Sequence, residues 1–168
     1  MVGRLQDKIA LVVGAGSVGP GWGNGKPTAV LFAREGAKVL CADINEDAAK
    51  ETVQIIHQEN GTANAICADV TSHDDIQRMV KACTDIYGRI DVVDYNVGLA
   101  HVGGVVELPE EEWDRIFAVN LKGCFLTMKH VIQSWKNRAA ARSSTFLRWL
   151  AFATRVCPIP RITPRKQR

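Results

Sequence analysis

Residues 133–168 contain no acidic side chain, no stretch of the chain approaches the roughly eighteen consecutive apolar residues of a membrane helix, and no cysteines stand in C-x-x-C spacing. The second absence excludes a membrane-spanning helix. The opening Met-Val-Gly-Arg-Leu-Gln-Asp-Lys is too polar for a secretion signal, so the expected compartment is the cytoplasm. Cys41, Cys67, Cys83, Cys124 and Cys157 are odd in number and dispersed, which predicts free thiols, with Cys41 and Cys67 as small apolar fillers of strands. His57, His73, His101 and His130 also lack ligand spacing, so they read as surface or packing residues and no metal is expected. The acid-free stretch holds nine Lys/Arg, which leaves 21 − 9 = 12 bases against 18 acids in residues 1–132, a net −6 beneath the overall +3. So basic a tail could touch nucleic acid or a membrane surface. It has no repeat and no stacking-type aromatic pattern, so neither is the expected partner.

What the chain does have is glycine in one place. Gly14-Ala-Gly-Ser-Val-Gly-Pro-Gly-Trp-Gly-Asn-Gly25 lies between an apolar strand-like run, Ile9–Val13, and a helix-like run, Thr28–Glu35. Glycine permits positive φ and close approach of backbone N–H groups to an anion, and the N-terminus of the next helix adds partial positive charge. A second strand, Ala37–Ala42, leads to Asp43, about twenty residues beyond the glycines, where a dinucleotide fold places the acid that accepts ribose hydroxyls. This order of strand, turn, helix, strand and acid predicts a dinucleotide site, with NAD preferred over NADP because a carboxylate repels a 2′-phosphate. Asp43 could instead open a capping box with Glu46, but Asn45 can cap that helix equally well.

Further strands are predicted at Ala63–Ala68 and Ile90–Tyr95. They alternate with helices at Asn45–Glu59, from Thr71 or Ser72 to Gly88, and from Pro109 through Phe125 and beyond. Such alternation gives right-handed βαβ units and an α/β, Rossmann-type doubly wound parallel sheet with strand order beginning 3-2-1-4. The cofactor then crosses the carboxyl ends of strands one and four. A composition of 46% apolar and 23% charged residues suits one soluble domain.

Residues 5 to about 132 resemble the short-chain dehydrogenase/reductase family. Its T-G-x-x-x-G-x-G turn is matched by Val13-Gly14 and Gly23-Asn24-Gly25, with about five extra residues, Val18 to Trp22. Tyr95-Asn96-Val97-Gly98 resembles its N-N-A-G motif, and Val119-Asn120 resembles its helix asparagine. Val13, Tyr95 and Val97 depart from the family's Thr, Asn and Ala. The resemblance assigns Asp69 and Val70 to the adenine ring and implies hydride transfer between NAD and a small alcohol or ketone. The residues expected to hold the cofactor are Gly14, Ser17, Gly23, Asn24, Gly25, Asp43, Ile44, Asp69, Val70, Asn96 and Gly98. Asn120 is the catalytic candidate, organising a water in the proton relay. Intact members of such a family are expected to be homo-oligomers.

The family's reactive Ser, Tyr and Lys have no counterpart. The two tyrosines, Tyr87 and Tyr95, precede the place where the catalytic one belongs, and no Y-x-x-x-K occurs. Codons permitted by Gln133 to Phe146, read one base earlier, encode P-V-M-E-K-Q-G-G-G-A-I-V-N-I. Those of Leu147–Arg155 permit S-S-V-A-G-I-R, and those of Pro160–Gln167 permit Y-N-A-S-K. These strings resemble the family's fifth strand with its Ser, then its Tyr/Lys motif, in the right order. The expected organisation is an NAD-binding domain over 1–132 and a basic tail, 133–168, that is out of frame or disordered, leaving the fourth strand with an unpaired edge. The reading is an NAD-dependent oxidoreductase by family, inactive in this form. A non-catalytic dinucleotide sensor and a nucleic-acid-binding module using the basic tail are the alternatives.

Overall fold

The computed structural model describes residues 3–138, apart from 18, 20, 102, 103 and 105, together with the backbone of 146–148. Five parallel strands form one sheet in the order β3-β2-β1-β4-β5: β1 Ile9–Val13, β2 Lys38–Asp43, β3 Thr62–Cys67, β4 Val92–Tyr95 and β5 Phe146–Arg148. The helices are α1 Gly25–Arg34, α2 Glu46–Gln58, α3 His73–Tyr87, α4 Glu110–Phe117 and α5 Cys124–Arg138.

β1 is buried along its whole length because both of its faces are covered, and it reads as an unbroken apolar run for that reason. Alternation along the strands divides the core in two. Ala10, Val12, Val39 and Cys41 pack with Ala29, Val30, Ala49 and Ile56 from α1 and α2. Ile9, Leu11, Val13, Leu40 and Val93 pack on the other side with Ile76, Met79 and Val80 of α3 and Leu126 and Val131 of α5. Asn45 caps α2 through its side-chain oxygen, which accepts from Asp47 N and Ala48 N, and Ser72 caps α3 by accepting from Asp75 N. Gly88 closes α3 in the left-handed conformation.

Four features differ from the expectation. The edge of β4 is paired: β5 lies parallel to it, with Val92 opposite Phe146 and Asp94 opposite Arg148. Parallel pairing needs only backbone groups, so a short segment unlike the family's fifth strand can take that place. The last helix is not continuous. Ala118–Gly123 forms a π-helical turn between α4 and α5, and Pro109 stands just before α4 as its cap residue. Cys67 is exposed, its thiol near Ile44 O, whereas Cys41 fills the core as expected; burial pushes the Cys41 and Cys83 thiols up to about 12. Finally, α5 runs to Arg138, past the boundary expected at 132, and Trp135 packs against the core while its indole N–H donates to Ile90 O at 2.8 Å. The rest of the basic tail lies outside the described residues.

The histidines play packing and surface roles. His57 Nε2 lies 2.9 Å from Ala63 O, and the His73 and His130 rings meet edge to face. Burial, then His73 and Lys129, hold the His130 imidazole below its ordinary range. Among the described residues no helix is long and apolar enough to cross a membrane.

If Trp135 belongs to the folded layer, Trp135→Phe should lower stability by about 1 kcal/mol through the lost hydrogen bond. Denaturant melting tests this. An unchanged midpoint would detach the helix beyond 132 from the fold.

Candidate dinucleotide site

The residues singled out in the sequence gather at the carboxyl ends of the parallel strands. β1 stops at Val13, and Gly14 N and Ala15 N both donate to Ala42 O at the end of β2, at 2.8 and 3.0 Å. The chain then loops and re-enters at α1. A Cβ on Gly25 would overlap the Gly14 carbonyl oxygen, so α1 begins directly on the end of β1. Only glycine fits there. Ser17 closes the turn by accepting from Gly23 N at 2.9 Å.

Asp43 ends β2 and holds this turn. Its Oδ2 accepts from Gly16 N at 2.8 Å and its Oδ1 from Asn45 N at 3.0 Å. Each carboxylate oxygen can accept more than one hydrogen bond, so capacity remains for a ribose hydroxyl. The capping role falls to Asn45, as the sequence allowed. Ile44, 68% exposed, stands beside it at the rim. After β3, Asp69 Oδ1 accepts from Thr71 N and Oγ1, which turns its carboxylate into its own loop, and Val70 is buried.

β4 delivers the opposite wall. Asn96 N donates to Val13 O at 2.8 Å and its amide donates to Asp94 Oδ2 at 2.6 Å. Val97 lies directly over Gly14, and Gly98 is exposed. Asn120 sits in the π-helical turn and grips this wall: its Oδ1 accepts from Leu99 N at 2.7 Å and its Nδ2 donates to Leu99 O at 2.8 Å.

One feature makes the site suited to an anion. Of the described helices that begin after a loop, α2, α3 and α4 carry acids in their first turn, and α2 and α3 are also capped by a side chain. α1 has neither: Asn24 makes no side-chain cap and no acid lies in the first turn. Its N-terminal N–H groups therefore lack the compensation the other helices have, which a phosphate would supply. The one charge in that turn, Lys26, is buried and its Nζ is committed to Glu51 Oε1 at 2.9 Å.

Neither tyrosine hydroxyl is free to act as a general acid/base. Tyr87 OH donates to Val39 O and accepts from Asn64, and burial raises its pKa. Tyr95 OH donates to Val119 O at 2.7 Å, and burial, then Cys124 and Asp69, hold it well above the ordinary tyrosine value. The π-helical turn and its bond to Tyr95 were not foreseen in the sequence. The pairing of a tyrosine at 95 with a glycine at 123 is the signal that carries them.

A doubly wound parallel sheet with a glycine turn at its switch point defines a Rossmann-type protein. The short chain dehydrogenase family model matches residues 8–143, and the chain belongs to that family. It is 40% identical to an uncharacterized oxidoreductase of Thermotoga maritima over 80% of this chain and 51% of that protein. It is 36% identical to a 3-oxoacyl-[acyl-carrier-protein] reductase of the same organism, over 77% of this chain and 50% of the reductase. Among solved structures, a putative short-chain dehydrogenase/reductase from Burkholderia xenovorans superposes with a TM-score of 0.78 at 38% identity, covering 81% of this chain and 54% of that one. A hydroxysteroid dehydrogenase from Escherichia coli gives 0.74 at 30% identity, covering 80% and 55%. The chain thus spans about half the length of the relatives it matches. The family's members are oxidoreductases that use a nicotinamide dinucleotide on small molecules.

The seat of α1 on β1 is testable. Gly25→Ala should cost about 3 kcal/mol or more, since backbone must move away from backbone. Gly88→Ala, where a Cβ meets open space but φ is +82°, should cost only the left-handed penalty of about 1 to 2 kcal/mol. Equal losses in chemical denaturation would refute the close-approach argument.

Proposed function

We propose that residues 1–132, with α5 completing the layer to 138, are the NAD-binding half of a short-chain oxidoreductase, and that this chain holds the cofactor without turning it over. The observation that carries the reading is the uncapped, acid-free N-terminus of α1 behind a glycine turn pinned by Asp43. Gly14, Ser17, Gly23, Asn24 and Gly25 would cradle the phosphates. Asp43 and Ile44 would take the adenosine ribose side, Asp69 and Val70 the adenine, and Asn96 and Gly98 the nicotinamide half. When bound, the nicotinamide supplies the hydride-accepting or hydride-donating carbon. Asn120 is the one member of the family's catalytic set present, and its amide is occupied by Leu99, which fits a role in shaping the site and in ordering water through its remaining hydrogen-bonding capacity.

The chemistry ends there. A positioned acid/base typically contributes about 10² to 10⁴ in rate, and Ser, Tyr and Lys are missing together. We read residues 133–168 as a one-base frame slip of the family sequence. Alcohol or ketone chemistry, a cytoplasmic setting and homo-oligomerisation are what this reading expects of the intact form. Exposed Trp113, Phe117 and Phe125 along α4 and α5 offer an apolar strip for a second copy. The competing reading, a non-catalytic dinucleotide sensor, is favoured by the same missing residues and requires intact in-frame DNA.

Calorimetry should show NAD(H) binding more tightly than NADP(H). Asp43→Ala should weaken NAD⁺ on the order of ten- to a hundredfold and narrow the preference, because a charged acceptor is lost both to the ribose and to Gly16 N. Tighter binding of NADPH by the parent chain would overturn the assignment.

Turnover of any alcohol or ketone should be undetectable. Restoring one base near codon 133 and reading to the natural stop should yield a chain with Y-x-x-x-K and dehydrogenase activity. DNA without that second frame, or a restored chain inert across a broad panel, leaves the sensor reading.

A further inference from the structure

Tyr95 stands where the family has asparagine, and its surroundings are built to its size. The ring is 5% exposed at the end of β4, and the hydroxyl donates to Val119 O at 2.7 Å. Val119 lies next to Asn120 within the π-helical turn, and such a turn releases carbonyls from the α-helical ladder. A buried carbonyl so released needs a donor. Opposite the hydroxyl is Gly123, where a Cβ would lie 2.7 Å from Tyr95 Oη and 2.8 Å from Val70 O. Any side chain there would force the Tyr95 hydroxyl or the Val70 carbonyl to move.

The consequence lies one residue on. Adjacent residues of the π-helical turn hold both ends of one segment: Val119 takes Tyr95, and Asn120 grips Leu99 N and O at 2.7 and 2.8 Å. Between these clasps run Asn96, tied to Val13 O, and Val97, over Gly14. Residues 95–99 form the wall of the dinucleotide site opposite Asp43. We propose that Tyr95 is a positioning residue for dinucleotide binding: its hydroxyl fixes the π-helical turn so that the Asn120 amide meets the Leu99 backbone and holds this wall against the glycine turn. Tyr95 touches no cofactor in this account and acts through Val119 and Asn120. The inference rests on the dinucleotide-binding reading above.

The test is a double-mutant cycle on NAD⁺ affinity with Tyr95→Phe and Asn120→Ala in the full chain. Tyr95→Phe keeps the ring and removes only the donor. It should weaken NAD⁺ roughly three- to tenfold, the range of one lost hydrogen bond. Asn120→Ala should weaken it at least as much, and the double variant should be little worse than Asn120→Ala alone, because both act on one device. The Leu99 amide should exchange faster in Tyr95→Phe while amides of β1 keep their protection. Val131→Ala, a fully buried change away from these residues, in α5, is the stability control: it should lower the melting temperature at least as far and leave NAD⁺ affinity unchanged.

Unchanged NAD⁺ affinity in Tyr95→Phe, full additivity with Asn120→Ala, or an equal loss in Val131→Ala would overturn the positioning role while leaving dinucleotide binding intact. A parent chain that binds no NAD⁺ would overturn the dinucleotide reading itself and this inference with it.

Discussion

The fold turns on one close approach, the first residue of α1 seated on the Gly14 carbonyl directly after β1. Because nothing larger than glycine fits at position 25, α1 starts directly at the carboxyl end of β1, beside the point where the strand order reverses between β1 and β4. Asp43 converts this contact into a fixed site. Its two oxygens tie the glycine turn to the start of α2, so one carboxylate sets the spacing between the first two βα units. A looser connection would place the same residue types around the same edge without aiming them at one point.

Electrostatics follow from that placement. The helices whose N-termini are satisfied within the chain, α2 and α3, are closed by Asn45 and Ser72 with acids behind them, and α4 carries Glu110, Glu111 and Glu112. These ends are quiet. α1 keeps its dipole uncompensated at the one edge where the strand order reverses, and Lys26 is withdrawn into an ion pair with Glu51 rather than left to neutralise a ligand. On the proposed reading the anion is therefore held by backbone, which stays charged in its partial way at any pH.

Most of this arrangement was legible in the sequence because it depends on local rules. Apolar runs of five or six residues, glycine at a turn, Asn and Ser before acids, and an Asp at a strand end each report on their immediate neighbours. What escaped depends on distant partners. The π-helical turn is stabilised by Tyr95, 24 residues earlier, and by the clearance at Gly123, so a window over α4 and α5 shows only a helix. Trp135 belongs to the fold because its indole reaches Ile90 O, which no count of charges in the tail reveals. Cys67 shows the limit of the strand rule: β3 lies at the sheet edge, where alternate positions meet solvent.

The division between binding and chemistry follows the same distinction between backbone and side chain. On the proposed reading, cofactor recognition draws heavily on main-chain groups, a glycine turn and one carboxylate, all supplied before residue 100. Proton transfer needs particular side chains at particular places, and those would come from the segment after α5. A segment of altered sequence can still satisfy the edge of β4, because pairing β5 to it asks only for extended backbone at Phe146–Arg148. It cannot supply a serine, tyrosine and lysine by the same means. On the proposed reading, a change in reading frame at this point is tolerated by the sheet while removing the groups the reaction needs, and the chain keeps the architecture of a dinucleotide site without the side chains that would use it.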